Sequence, residues 1–146
     1  MLKQITVFIE NRPGRLADVT GCLADEGINI HALSIADTTD FGVLRMIVSD
    51  PRKAKTALRE RGFMVKTAEV AAVALGHKPG SLHKILETLN AAGISIEYVY
   101  AFTSRHRDHD AIVILSAGNP APMLEKIKAA GFTALDETLL DELNKG

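Results

Sequence analysis

The segment Pro-Gly-x-Leu occurs twice, as Pro13-Gly14-Arg15-Leu16 and as Pro79-Gly80-Ser81-Leu82, 66 residues apart. A fixed internal period constrains a fold more than any local propensity does, because both copies must satisfy one order of elements. The same offset brings Val7 onto Val73, Gly27 onto Gly93, Ile28 onto Ile94 and Ile30 onto Ile96. Further along the offset is 69, since Gly62-Phe63 matches Gly131-Phe132, so the second copy carries a short insertion between Thr103 and Gly131.

In the first copy Ile5, Val7 and Ile9 alternate, the pattern of a half-buried strand, and Pro13-Gly14 ends it. Leu16, Val19, Thr20, Leu23 and Ala24 then recur at helical spacing as far as Gly27; the second copy gives Leu82, Ile85, Leu86 and Leu89 as far as Gly93. Leu16 and Leu82 are expected to plug the core. "INIHALSIA" predicts a second strand, "DTTDFG" a turn and "VLRMIVS" a third strand. Pro51 opens a second helix with Ala54, Ala57 and Leu58 inward, Gly62 stops it, and "FMVKT" predicts a fourth strand.

The order strand-helix-strand-strand-helix-strand is that of the split βαβ sandwich. The fold class is therefore α+β: two ferredoxin-like βαββαβ sandwiches in tandem, with antiparallel sheets carrying helices on one face. The boundaries fall at 1–68 and 69–146. Residues 63–75 hold neither Pro nor Gly, so the fourth strand is expected to run directly into the first strand of the second copy. "LLDELNKG" predicts a short terminal helix.

Charge removes several function classes. Lys and Arg number 17 against 18 Asp and Glu, a net charge of −1, which gives no general attraction to nucleic acid or to an anionic membrane. No apolar run approaches the roughly 20 residues of a membrane span, and no leader pattern opens the chain. The single cysteine, Cys22, has no internal disulfide partner, which fits a cytoplasmic location. It reads as a helix thiol rather than a nucleophile. "RHRDHD" at 105–110 places His106, Asp108, His109 and Asp110 together, but in a turn, and a solvated turn is the expectation rather than a metal site. His31 and His83 read as partly buried polar groups, His31 also as a lining residue because it alternates with Asn29. Tyr98, Tyr100 and Phe102 alternate on one strand without the basic patch that RNA stacking needs. No nucleophile with a base, paired carboxylates or ligand cluster emerges, so no catalytic residue, metal or cofactor is expected.

The glycine loops suit binding. Gly14 and Gly80 lack a Cβ, so a ligand can approach the backbone, and each loop feeds a helix N-terminus that favours a carboxylate. Asn side-chain oxygens and backbone carbonyls supply acceptors for an ammonium. For Asn11, helix capping is the competing role.

Glu10-Asn11-Arg12-Pro13-Gly14-x-Leu16 with Gly27-Ile28-Asn29-Ile30, repeated as Lys78-Pro79-Gly80-Ser81-Leu82 with Gly93-Ile94-Ser95-Ile96, resembles the ACT domain over nearly the whole chain. The resemblance implies a non-catalytic regulatory or sensor protein that binds a free amino acid where two domains meet, and a homodimer. It is nearest to the serine-sensing domains that end some phosphoglycerate dehydrogenases. There a loop Asn and an Asn at the start of a neighbouring second strand hold serine; the matching positions are Asn11 and Asn29. Those domains carry a His two residues before the loop Asn. Here Ile9 stands there, which argues against serine. The implied sites combine Asn11, Gly14, Arg15 and Leu16 with Ile94 and Ser95, and His77, Gly80, Ser81 and Leu82 with Ile28, Asn29 and Ile30. The alternative reading is a regulatory subunit acting in trans on a biosynthetic enzyme such as acetolactate synthase. A third is a small acyl-phosphate hydrolase, hinted at by Arg12 and Arg15 alone.

Overall fold

The computed structural model describes residues 1–37, 40–103 and 111–145, so the "RHRDHD" turn lies outside the described residues. The elements run β1 (Leu2–Glu10), α1 (Arg15–Asp25), β2 (Ile30–Asp37), β3 (Phe41–Val48), α2 (Pro51–Glu60), β4 (Met64–Leu75), α3 (Ser81–Ala91), β5 (Ile96–Phe102), β6 (Ala111–Ala117), α4 (Pro120–Ala129), β7 (Thr133–Leu135) and α5 (Thr138–Lys145). The fold is α+β, as expected. β4 is one strand of 12 residues, serving as the fourth strand of the first copy and the first strand of the second. The terminal helix is α5.

The chain divides into two compact units: Lys3–Ala68 with Leu140–Gly146, and Glu69–Leu139 with Met1–Leu2. In the first, β1 pairs antiparallel with β3 and β3 with β2. Val7 opposes Leu44 and Ile5 opposes Met46, so alternate apolar residues form one face. Val19, Cys22 and Leu23 of α1 and Ala54, Ala57 and Leu58 of α2 close over that face, with Phe63 and Val65 at its margin. In the second unit β4 pairs with β6 and β7, and β6 with β5. Ile85 and Leu89 of α3 and Met123 and Ile127 of α4 cover Ala71, Val73, Val113 and Leu115.

The repeat holds at the level of hydrogen-bond register. Val7 opposite Leu44 becomes Val73 opposite Val113, and Ile9 opposite Gly42 becomes Leu75 opposite Ala111. Even the irregularity in β2, between Ile30 and Ala32, returns in β5 between Ile96 and Tyr98.

Several inward assignments shift. Leu16 and Leu82 are 38% and 42% exposed rather than core plugs. Each stands in the first turn of its helix. Ala24 is exposed, and Cys22 takes the inward position. Burial raises the Cys22 thiol above its ordinary value, so it stays neutral and unreactive in the fold. His83 is on the surface, 3.7 Å from Glu87, not partly buried. His31 is tied to α5: its Nε2 lies 2.8 Å from Asn144 Oδ1, while Asn144 Nδ2 donates to the Ser49 carbonyl at 3.2 Å.

Gly14 and Gly80 precede α1 and α3 with φ of 87° each, in the left-handed region. A Cβ built at either meets nothing within 4 Å, so only backbone strain opposes substitution. Gly14→Ala and Gly80→Ala should each cost about 1–2 kcal/mol in urea denaturation. An unchanged midpoint for both would show that the loops relax out of this conformation.

Candidate functional site

The loop after β1 is short and turned tightly on itself. The Arg12 N–H donates to the Glu10 carbonyl at 2.9 Å and the Arg15 N–H to the Arg12 carbonyl at 3.4 Å. Arg12 Nε also sits 3.2 Å from Glu10 Oε2, an exposed pair of small energetic weight. Left-handed Gly14 then turns the chain into α1. The helix has no side-chain cap, so the early N–H groups at Leu16 and Ala17 keep the electropositive character of an unsatisfied helix start. Asn11 is therefore not a capping residue. Its Nδ2 donates to Asp37 Oδ1 at 3.2 Å, linking the loop to the end of β2. The Asn11 N–H reaches the Asp40 carbonyl at 3.3 Å.

These groups border a cavity of about 300 Å³ with Asn11, Arg12 and Asp37 on its polar side and Ile9, Leu16 and Ile35 on its apolar side. Gly42 forms part of the wall. A Cβ on Gly42 would come within 3.2 Å of Ile9 Cγ1 and 3.4 Å of Ile35 Cδ1, so its absence keeps this corner open. The arrangement offers a carboxylate acceptor, an amide, helix N–H donors and an apolar wall within one small volume. That is the chemistry a zwitterion with a short side chain requires.

Of the sequence-predicted residues, Asn11, Arg15 and Leu16 line this cavity together, and Gly14 shapes the loop beside them. Ile28 is in the core of the same unit, and Ile30 packs against that core. Asn29 is exposed and paired through its backbone: its N–H donates to Ser49 Oγ at 2.9 Å and its carbonyl accepts from the Ser49 N–H at 2.9 Å. His77, Gly80, Ser81 and Leu82 occupy the matching loop and helix start of the second unit, with Ser81 half-buried and the others exposed. Ile94 packs against the core of that unit and Ser95 is exposed.

Sequence reasoning missed Asp37, Ile35 and Gly42. Asp37 was readable only as a turn residue, although its partner position in the second copy, Thr103, already carries a different chemistry. Among the described residues no group of three or more His, Cys, Asp or Glu is placed to hold a metal. No helix among them is long and apolar enough to cross a membrane.

A family model described as an ACT domain pair matches residues 1–143. No curated protein matches. Among solved structures, a protein of Bacteroides thetaiotaomicron is 41% identical, with a TM-score of 0.84 over 92% of this chain and 91% of that one. The ligand-free regulatory subunit of aspartate kinase from Thermus thermophilus is 22% identical, with a TM-score of 0.61 over 88% of this chain and 92% of that one. The corresponding subunit from Thermus flavus is also 22% identical, with a TM-score of 0.60 over 88% and 91%. The doubled β-α-β-β-α-β order, the left-handed glycines at both loops and a match running almost from end to end agree. The chain belongs to the ACT domain pair family, a family of regulatory domains.

Proposed function

We propose that this protein is a regulatory subunit that binds a small free amino acid and acts in trans on an amino-acid-biosynthetic enzyme. The observation that carries the reading is the cavity between the β1–α1 loop and the end of β2. There Asn11 and Asp37 face an uncapped helix start across about 300 Å³. The ligand's carboxylate takes the N–H groups at Leu16 and Ala17. Its ammonium goes to Asp37 Oδ and the Asn11 side-chain oxygen. Its side chain lies against Ile9, Leu16 and Ile35, and the wall limits it to a small one.

The regulatory-subunit reading gains over a free-standing sensor because proteins of the same fold include regulatory subunits of aspartate kinase. Exposed Leu33 and Ile35 on β2 and Val99 on β5, 48%, 46% and 42% accessible, supply apolar surface for assembly with an enzyme or with a second copy. A cytoplasmic homodimer belongs to the same proposal.

A thermal-shift screen of the standard amino acids is the test, followed by affinity capture of bound enzyme from cell extract with and without the hit. We expect one or a few small amino acids to raise the melting temperature, and the hit to change enzyme activity when this chain is added. No shift from any amino acid at millimolar concentration would overturn the reading.

A further inference from the structure

We propose a second ligand site in the N-terminal unit, sharing Glu10 and Arg15 with the cavity beside Asn11, that takes a compact aromatic monocarboxylate. A cavity of about 390 Å³ lies there, lined by Phe8, Glu10, Arg15, Phe41, Phe63 and Met64. Its size and its apolar wall with few polar groups are those of a small-molecule site. The proposal does not depend on the amino-acid reading above.

The two copies provide an internal control on what the fold itself requires. The positions matching Phe8, Glu10, Arg15 and Met64 are Ala74, Gly76, Ser81 and Thr133. Ala74 and Thr133 oppose each other in the β4–β7 ladder, so the same backbone forms without a Phe or a Met there. Core positions keep their apolar character between copies, as Val7 with Leu44 and Val73 with Val113 show. Phe8, Glu10, Arg15 and Met64 are thus particular to this copy, whereas Phe63 recurs as Phe132 and belongs to the core.

The lining presents apolar surface at the rim of the cavity. Phe41 is 53% and Met64 66% accessible, both large apolar groups on the rim. Glu10 opposes Phe41, and Phe8 follows on the same face of β1. The Lys66 ammonium lies 5.5 Å from the Phe8 ring centroid.

Charge selects the ligand's sign. The Arg15 guanidinium stacks 4.3 Å from the Phe63 ring centroid. Its Nη1 donates to Asp18 Oδ2 at 3.2 Å. Its Nε is buried and has no hydrogen-bond partner among the described residues. The Nε–Nη2 edge is the fork a carboxylate takes in bidentate fashion. Phe8, Phe41 and Met64 then receive the ring. Where the ligand also carries an amino group, Glu10 is the acceptor for it.

The test is calorimetry with phenylacetate and L-phenylalanine, which share ring and carboxylate and differ in the amino group, against benzamide, which lacks the carboxylate. We expect saturable binding of at least one acid and at least tenfold weaker binding of benzamide. The double variant Phe8→Ala/Met64→Thr installs the residues the second copy already carries, and Arg15→Ser does the same for the charge. Each should weaken the acid at least tenfold, while Asn11→Ala leaves it unchanged. Conversely, the thermal response to a small amino acid should survive in Phe8→Ala/Met64→Thr. Binding of neither acid, equal binding of benzamide, or undiminished binding to both the double variant and Arg15→Ser overturns the proposal. A preference for phenylalanine assigns an amino acid to the site, and a preference for phenylacetate an amino-free acid.

Discussion

Leu44→Ala should destabilise the protein by about 2–5 kcal/mol, the range for emptying a fully buried leucine position. Leu44 has no exposed surface, opposes Val7 on β1 and Ile35 on β2, and belongs to the core closed by α1 and α2. With a urea dependence of about 2 kcal/mol/M, the midpoint should fall by roughly 1–2.5 M. Leu33→Ala is the matched control, on the same sheet face two residues before Ile35 but 48% exposed. It should cost less than about 1 kcal/mol, because about half of its surface stays in water and truncation there leaves no enclosed cavity. Equal losses for the two variants would mean that the interior of this unit is not the layer between sheet and helices described above.

The sequence made that layer readable because two independent copies had to obey it. Alternation of Ile5, Val7 and Ile9 placed one strand, and the 66-residue offset carried the same placement to Ala71, Val73 and Leu75. The lack of a breaker between 63 and 75 forecast that β4 would be continuous, and it is. Periodicity reports which side of a helix turns inward, however, and not how far along the helix that side is covered. Leu16 and Leu82 have the right phase and still stand in the open.

The candidate site was readable in half. Asn11, Arg15 and Leu16 follow one another in a loop whose Pro and Gly announce a turn, so their neighbourhood is local. Asp37 joins Asn11 across 26 positions of chain, and Gly42 joins Ile9 through a strand pairing. Such contacts depend on register, which the repeat implies only once both copies are laid out as ladders. The aromatic lining around Phe8 was invisible for another reason: alternation along β1 marks Phe8 as outward, and outward apolar residues are common on any protein surface.

Asn11→Ala should weaken binding of the amino acid found by the thermal screen about ten- to a hundredfold. Removing one hydrogen bond to a charged group costs roughly 1.5–3 kcal/mol where the remaining partner is left unsatisfied. Two losses combine at this position. The ligand's ammonium loses the amide oxygen, and Asp37 loses the Nδ2 donor that now stands 3.2 Å from its Oδ1 and holds the carboxylate at the mouth of the cavity. The fold should lose less than about 0.5 kcal/mol, since Asn11 is exposed and caps no helix. Asp37→Asn separates the two losses: it preserves the shape and an acceptor oxygen but removes the charge. If both residues act on one ammonium, the double variant should weaken binding by less than the product of the single effects, because the second change removes an interaction already damaged. Independent, multiplicative effects would place Asn11 and Asp37 on different parts of the ligand. Wild-type affinity in Asn11→Ala, measured by calorimetry, would move the amino-acid site away from this loop altogether while leaving the chain an ACT pair.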